Sequence, residues 1–304
     1  MYLATIKEHA YTLDPGEEVT SLKQVKESPE WPEWECAIKA ELNQLKTMGT
    51  WKLVEKPPDA IPIANKWVFA KKRNKDGQII KYKVRLVAKG CSQRPGYDYV
   101  ETHSPVVRLE TLRAIMAIAP SKKLLIQQMD VKGAYLNGIL KECIYMRQPE
   151  GFNDGTGRVC LLEKSLYGLK QAGCEWNILL NKIMVKLGYT CLRSNPCAYV
   201  KHCGKDFIVV TVWVDDLLLF ATMPQLMEKI KNDLHSHWEM TDLGEPSKIV
   251  GIKVNQSQNS ITISQKLYIE LILKREGMEC ANPVGMPLDP NVPLEPNPEG
   301  NEGD

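Results

Sequence analysis

The sequence lacks three features that mark particular classes of protein. Its nine cysteines are spread singly, without the paired C-x-x-C spacing of a zinc site, so we interpret them as reduced thiols. No uninterrupted apolar run approaches the length that crosses a membrane. The amino terminus has no basic segment followed by an apolar one, as a secretory signal has. These absences predict a soluble intracellular protein with no membrane partner.

Basic residues are missing from the end of the chain and concentrated elsewhere. Residues 276–304 contain seven acids, several prolines and no Lys or Arg, so we expect 278–304 to be a disordered acidic tail. The formal net charge of +2 hides a stretch, 65–94, with ten basic residues and one acid. A surface that is merely soluble usually mixes charges of both signs. The excess of positive charge therefore favours a polyanionic partner over simple solvation.

The basic stretch also has the pattern of a β-hairpin. Two alternating runs, 65–71 and 78–88, are separated by Asp76-Gly77, a strong turn signal. On the second run Tyr82, Val84 and Leu86 would share an apolar face, and Lys83 and Arg85 would share a cationic one. Apolar residues at helical spacing predict further elements. These are helices over about 28–49, 108–119, 224–238 and 265–276, a helix opened by 165–171 that runs to about 187, and a second hairpin over 144–146 and 159–162.

Two adjacent acids, Asp215 and Asp216, lie between two apolar runs within 207–221. The runs are rich in β-branched and aromatic residues, which predicts two strands joined by a tight turn with the acids at its tip. By itself the pair is equally compatible with an ordinary turn. A second apolar run, 124–130, ends in Asp130. If the strands lie side by side, the three carboxylates can converge on hard cations that prefer oxygen ligands.

Seven ordered motifs carry a specific resemblance. They are Lys66–Phe69, Tyr82–Gly90, Glu101–Arg108, Gln128–Leu136, Ile144–Phe152, Lys164–Gln171 and Trp213–Asp216. In this order they resemble the reverse transcriptase of copia-type long-terminal-repeat retrotransposons, over most of the span from Trp31 to about Pro287. A lone Asp-Asp pair is weak evidence, whereas chance matches seldom occur as seven motifs in order.

The resemblance implies an α+β fold of the right-hand polymerase type, with an antiparallel palm sheet that carries the Asp-Asp hairpin. The implied boundaries are a flexible lead-in over 1–27, a reverse transcriptase domain over 28–277 and the acidic Pro-rich tail over 278–304. Within the domain, the fingers would cover about 50–125, the palm about 126–255 and the start of the thumb or connection about 256–277. RNase H and integrase regions are not recognisable in this sequence.

The resemblance also implies roles for individual residues. Asp130 and Asp215 would bridge two Mg²⁺ ions, with Mn²⁺ also possible, and Asp216 would be the more peripheral ligand. Lys83 and Arg85 would bind the triphosphate of an incoming dNTP. Tyr135 would be the steric gate against a 2′-hydroxyl, although a core aromatic fits equally well. Gln171 would contact the nucleotide or template. The template and primer would be contacted by Gly168, Lys170, Trp213 and Gly251. Lys170 could equally be a solvated helix residue, and Gly251 could mark a strand bulge.

The implied function is RNA-directed DNA polymerisation on an RNA or DNA template-primer, in the cytoplasm, a virus-like particle or the nucleus. The resemblance says nothing of the oligomeric state. Several positions depart from the family pattern: Cys91, His103, Cys174, Asn195 and Trp213. The alternative is therefore a truncated, catalytically inactive transposon remnant that at most binds nucleic acid.

Overall fold

The computed structural model describes residues 21–74, 78–257 and 260–285. These residues form six α-helices: α1 (Leu22–Glu27), α2 (Trp31–Thr47), α3 (Leu109–Ile118), α4 (Ala172–Lys186), α5 (Pro224–His235) and α6 (Lys266–Arg275). The five predicted helices are confirmed as α2 to α6, whereas α1 was not expected. Ser21 starts α1 through a reciprocal capping box with Gln24. Part of the segment expected to be a loose lead-in, up to residue 27, is therefore helical. Residues 1–20 of that lead-in lie outside the described residues.

The basic hairpin consists of β2 (Asn65–Arg73) and β3 (Ile79–Ala88), paired antiparallel with Val68 opposite Arg85. The predicted alternation is confirmed, since Val84 and Leu86 are buried. Their face packs against α2, where the ring of Trp34 lies edge-on to Phe69 at 5.4 Å and to Tyr82 at 4.7 Å between centroids. The predicted Asp-Gly turn falls on residues 75–77, outside the described residues.

A three-stranded antiparallel sheet adjoins this hairpin. It contains β1 (Trp51–Val54), β5 (Ile139–Met146) and β6 (Val159–Lys164) in the order β1-β6-β5. The predicted pairing of 144–146 with 159–162 is confirmed. Side chains of this sheet, α2 and the basic hairpin share one hydrophobic core.

The central element is a six-stranded antiparallel sheet in the order β11-β4-β10-β9-β8-β7. Its strands are β4 (Leu125–Val131), β7 (Thr190–Leu192), β8 (Asn195–Cys203), β9 (Asp206–Trp213), β10 (Asp216–Ala221) and β11 (Met240–Gly244). Both faces of the sheet are covered, so β10 is apolar on both sides after Asp216. Met129 and Leu217 belong to the core formed with α4 and α5. Leu218 and Phe220 belong to the core formed with α3 and the next small sheet.

That small sheet consists of β12 (Lys248–Ile249), β13 (Ile252–Gln256) and β14 (Ile261–Ser264). Val250 and Gly251 form a two-residue turn between β12 and β13, so Gly251 lies in a turn and not in a strand bulge. Both have positive φ, 48° and 76°, the conformation that tight hairpin turns require. Helix α6 follows and has no buried residue of its own. Among the described residues, no helix combines the length and the hydropathy that crossing a membrane requires.

Candidate active site

The Asp-Asp hairpin joins β9 to β10 through Val214 and Asp215. The prediction placed both acids at the tip of the turn. Asp216 is instead the first residue of β10, opposite Trp213. Val214 has φ +58°, an uncommon conformation for a β-branched residue. The turn is held on two sides: the Trp176 indole donates to the Val214 carbonyl at 2.7 Å, and the Val131 amide donates to the Asp215 carbonyl at 2.9 Å. These bonds hold the turn between α4 and β4.

Strand register brings the third carboxylate to the same place. Asp130 on β4 lies directly opposite Asp216 on β10, so their side chains share one face of the sheet. Two carboxylates in this position repel each other unless something compensates their charge. Gln128, two residues before Asp130, donates its side-chain amide to Asp216 Oδ1 at 2.9 Å. The strands that carry Asp130 and Asp216 thus lie side by side, and Gln128 is an unpredicted partner of Asp216.

A cavity of about 500 Å³ connects this sheet to the basic hairpin. Asp130 and Asp215 from the sheet line it, together with Lys83 and Arg85 from β3. Its other charged lining residues are Glu41, Lys72, Lys81 and Lys132. The fold therefore places acids and bases that are far apart in sequence around one cavity.

A stack of side chains crosses one side of the cavity. The Arg85 guanidinium lies over the Tyr167 ring, 4.5 Å from Cζ to the centroid. The Tyr167 ring lies 4.9 Å from that of Tyr135, between centroids. Both contacts fall in the range of favourable cation–π and aromatic interactions. Tyr167 lies in a motif that the sequence analysis quoted, but no role was predicted for it.

Close packing positions Tyr167. The Ala88 amide at the end of β3 donates to the Tyr167 carbonyl at 2.7 Å. Gly168 has φ +90°, and a Cβ there would lie 2.1 Å from the Ala88 carbonyl oxygen. Only glycine permits this approach, so a contact between two protein segments accounts for Gly168 without a nucleic-acid ligand.

Gln171 does not face the cavity as its predicted role would require. The residue is only 1% exposed. Its side-chain amide donates to the Asp98 carbonyl at 2.8 Å and to Glu142 Oε2 at 3.2 Å. Its Oε1 accepts from Gln93 Nε2 at 3.0 Å. Burial and these bonds already occupy the side chain, so a contact with nucleotide or template would require them to break. Gln93 in turn accepts from the Lys170 backbone amide at 2.8 Å.

We expect Gln171→Leu to lower the free energy of unfolding by about 1–3 kcal/mol, because buried partners of the amide lose their hydrogen bonds. A urea titration followed by circular dichroism measures the change. At a temperature where both proteins are folded, the KM for dNTP should stay the same. A large rise in KM with unchanged stability would restore a direct role in nucleotide binding.

Three departures from the family pattern are accommodated locally. Asn195 is buried, donates to Thr111 Oγ1 at 3.0 Å and accepts from the Cys197 amide at 3.0 Å. Cys174 is buried in α4, and burial raises the pKa of its thiol. Trp213 is half-buried and packs against the core formed with α4 and α5.

Gly251 lies in the β12–β13 turn, and its positive φ of 76° explains a glycine at this position.

The chemistry of the acids fits Mg²⁺, although the described residues contain no three His, Cys, Asp or Glu side chains arranged to hold a metal ion alone. Mg²⁺ is usually bound through one or two carboxylates, with phosphate and water oxygens completing its shell. Asp130, Asp215 and Asp216 on neighbouring strand ends offer that kind of donor.

A family model described as reverse transcriptase (RNA-dependent DNA polymerase) matches residues 48–290. The chain belongs to this reverse transcriptase family. It is 40% identical to the Retrovirus-related Pol polyprotein from transposon TNT 1-94 of Nicotiana tabacum, over 91% of this chain and 21% of the polyprotein. It is 37% identical to that from transposon RE1 of Arabidopsis thaliana, over 86% of this chain and 18% of the polyprotein.

The resemblance to copia-type reverse transcriptases is thus confirmed, and the chain spans about a fifth of the length of these polyproteins. A solved structure of apo telomerase from Candida tropicalis, truncated from its C-terminal domain, is 10% identical with a TM-score of 0.42, covering 76% of this chain and 60% of that chain. Three residues of the site, Gln128, Tyr167 and Glu41, had no role predicted from the sequence. Strand alternation could have found Gln128, since it lies two residues from Asp130.

Proposed function

We propose that this reverse transcriptase domain is an RNA-directed DNA polymerase that adds dNTPs to the 3′-hydroxyl of a primer. The observation that carries the proposal is the cavity lined by Asp130 and Asp215 together with Lys83 and Arg85. Acids that suit divalent cations and bases that suit phosphates are the two groups that phosphoryl transfer needs. Membership of the family supports the reaction type.

In the right-hand architecture, we assign the β2–β3 hairpin to the fingers, over about 50–125. We assign the six-stranded sheet to the palm, over about 126–255, and α6 to the start of the thumb or connection, over about 256–277. The mixed α/β composition and the antiparallel sheets support this assignment. The cavity then lies between fingers and palm.

Asp130 and Asp215 are our bridging metal ligands and Asp216 the peripheral one. Asp130 and Asp215 both line the cavity, while Asp216 Oδ1 already accepts a hydrogen bond from Gln128. Two Mg²⁺ ions, or Mn²⁺, would lower the pKa of the primer hydroxyl and neutralise the phosphates. Around them, Lys83 and Arg85 bind the phosphate oxygens of the nucleotide.

Tyr135 is the proposed steric gate for the sugar. It is half-buried between two hydrophobic cores, which limits the movement of its ring. The stack through Tyr167 connects this ring to Arg85, so the groups assigned to the sugar and to the triphosphate support each other.

Template and primer are proposed to bind along the basic hairpin, with Lys170 and Trp213 as further contacts. Most of the affinity would come from phosphates, so binding should be independent of sequence and fall with salt. The partners are an RNA or DNA template-primer and dNTPs inside the cell. We assign no nucleic-acid role to Gly168 or Gly251, whose backbone geometry already requires glycine.

Primer extension tests the proposal directly. On an RNA template with a DNA primer, we expect the purified chain to extend the primer with Mg²⁺ or Mn²⁺, and a chelator should abolish extension. The same preparation is tested for template-primer binding in the presence of the chelator, where phosphate contacts should persist. Binding without extension, with either ion, would favour the inactive remnant instead.

A further inference from the structure

Glu41 is a charged residue in the cavity for which the proposed reaction has no use. It lies on α2, lines the cavity and accepts a hydrogen bond from the Leu86 amide through Oε1 at 3.1 Å. Leu86 is fully buried, and its amide lies on the edge of β3 that faces α2. An unpaired amide there would be costly, so an acceptor at position 41 has a structural purpose. A neutral acceptor could serve that purpose equally well.

The charge of Glu41 therefore needs a separate explanation. Burial raises the pKa of its carboxyl, which means that the charged form is partly desolvated. The Leu86 amide, Arg85 and Lys83 act in the opposite direction and favour the carboxylate. Arg85 and Lys83 are the two cations assigned to the triphosphate. Glu41 thus lines the same cavity as both cations, and both favour its carboxylate form.

We infer that Glu41 is the counter-charge of Lys83 and Arg85, and that it weakens the binding of polyphosphate to these two cations. The inference rests on the proposed nucleotide-binding role of Lys83 and Arg85. A polyphosphate in the cavity is repelled by the Glu41 carboxylate and competes with it for the cations. A site moderated in this way binds nucleotide less tightly and releases pyrophosphate more readily. Glu41 is accordingly a positioning residue that sets affinity.

Glu41→Gln separates the charge from the hydrogen bond, because glutamine keeps an oxygen that can accept from the Leu86 amide. The probe is inorganic tripolyphosphate with Mg²⁺, titrated calorimetrically into the full chain. We expect its Kd to fall about 3- to 10-fold in the variant, as removal of one unit charge from a partly solvated site predicts. Thermal unfolding should be unchanged.

Glu35→Gln is the matched control, since it removes the same charge from the solvent side of α2, where Glu35 pairs with Lys39 at 3.1 Å. It should leave the Kd at the value of the parent. An unchanged or higher Kd in Glu41→Gln, an equal gain in Glu35→Gln, or no binding of tripolyphosphate by the parent would each overturn the inference. Primer extension is measured separately, so failure of the polymerase proposal is distinguishable from failure of this one.

Discussion

Asp215→Asn is expected to reduce primer extension by at least about 10³-fold, and Asp130→Asn should do the same, since losing several kcal/mol of charge stabilisation has this effect. Both side chains line the cavity that also contains Lys83 and Arg85. Asparagine keeps the size of the side chain and removes the negative charge that a divalent ion requires. Single-turnover extension at saturating dNTP measures the loss.

Asp216→Asn should reduce primer extension less, by about 10- to 100-fold, which is the usual cost of losing a residue that supports a metal ligand. Asp216 Oδ1 is already held by Gln128. Asp206→Asn is the control, because Asp206 begins β9, at the opposite end of that strand from the Asp-Asp turn, and its loss changes the net charge equally. Equal activity in the parent and Asp215→Asn would contradict the catalytic assignment. A large loss in Asp206→Asn would point to an effect of charge or folding.

Tyr167→Ala is expected to raise the KM for dNTP and to weaken discrimination against ribonucleotides together. The substitution removes a ring that contacts Arg85 on one side and Tyr135 on the other. Contacts of these two kinds contribute about 1–3 kcal/mol in sum, so KM should rise roughly 10- to 100-fold. Steady-state extension with dNTP and with the matching ribonucleotide measures both quantities.

Tyr167→Phe is the matched control, because it keeps the ring and removes only the hydroxyl. It should preserve both KM and discrimination. A KM effect of the same size in the phenylalanine variant would assign the role to the hydroxyl and contradict the stack. A rise in KM without any change in discrimination would show that Tyr135 does not depend on Tyr167.

Much of the local structure could be predicted because it follows from short-range patterns. The alternation of Tyr82, Val84 and Leu86 with Lys83 and Arg85 identified the cationic hairpin, since alternate residues of a strand face opposite ways. The apolar runs before and after the Asp-Asp pair identified β9 and β10 in the same way. These inferences depend only on residues a few positions apart, which is why they succeeded.

The sequence could not show a residue's environment where distant segments create it. The family resemblance implied a ligand contact for Gln171, whereas its side chain is bonded to Gln93 and to the Asp98 carbonyl. Gly168 suggested a close ligand, whereas the close neighbour is the end of β3. Gly251 suggested a nucleic-acid contact or a strand bulge, and only the pairing of β12 with β13 identifies a turn.

By itself the sequence determined the family, the apolar runs that flank the Asp-Asp pair and the cationic face of the hairpin, because motif order and alternation are properties of the chain alone. Only the tertiary structure decided that Asp130 lies opposite Asp216, that Arg85, Tyr167 and Tyr135 form one stack, and that Glu41 lines the cavity near Lys83 and Arg85. These contacts join segments that are far apart along the chain. Their geometry depends on how whole elements pack, which no local pattern of residues encodes.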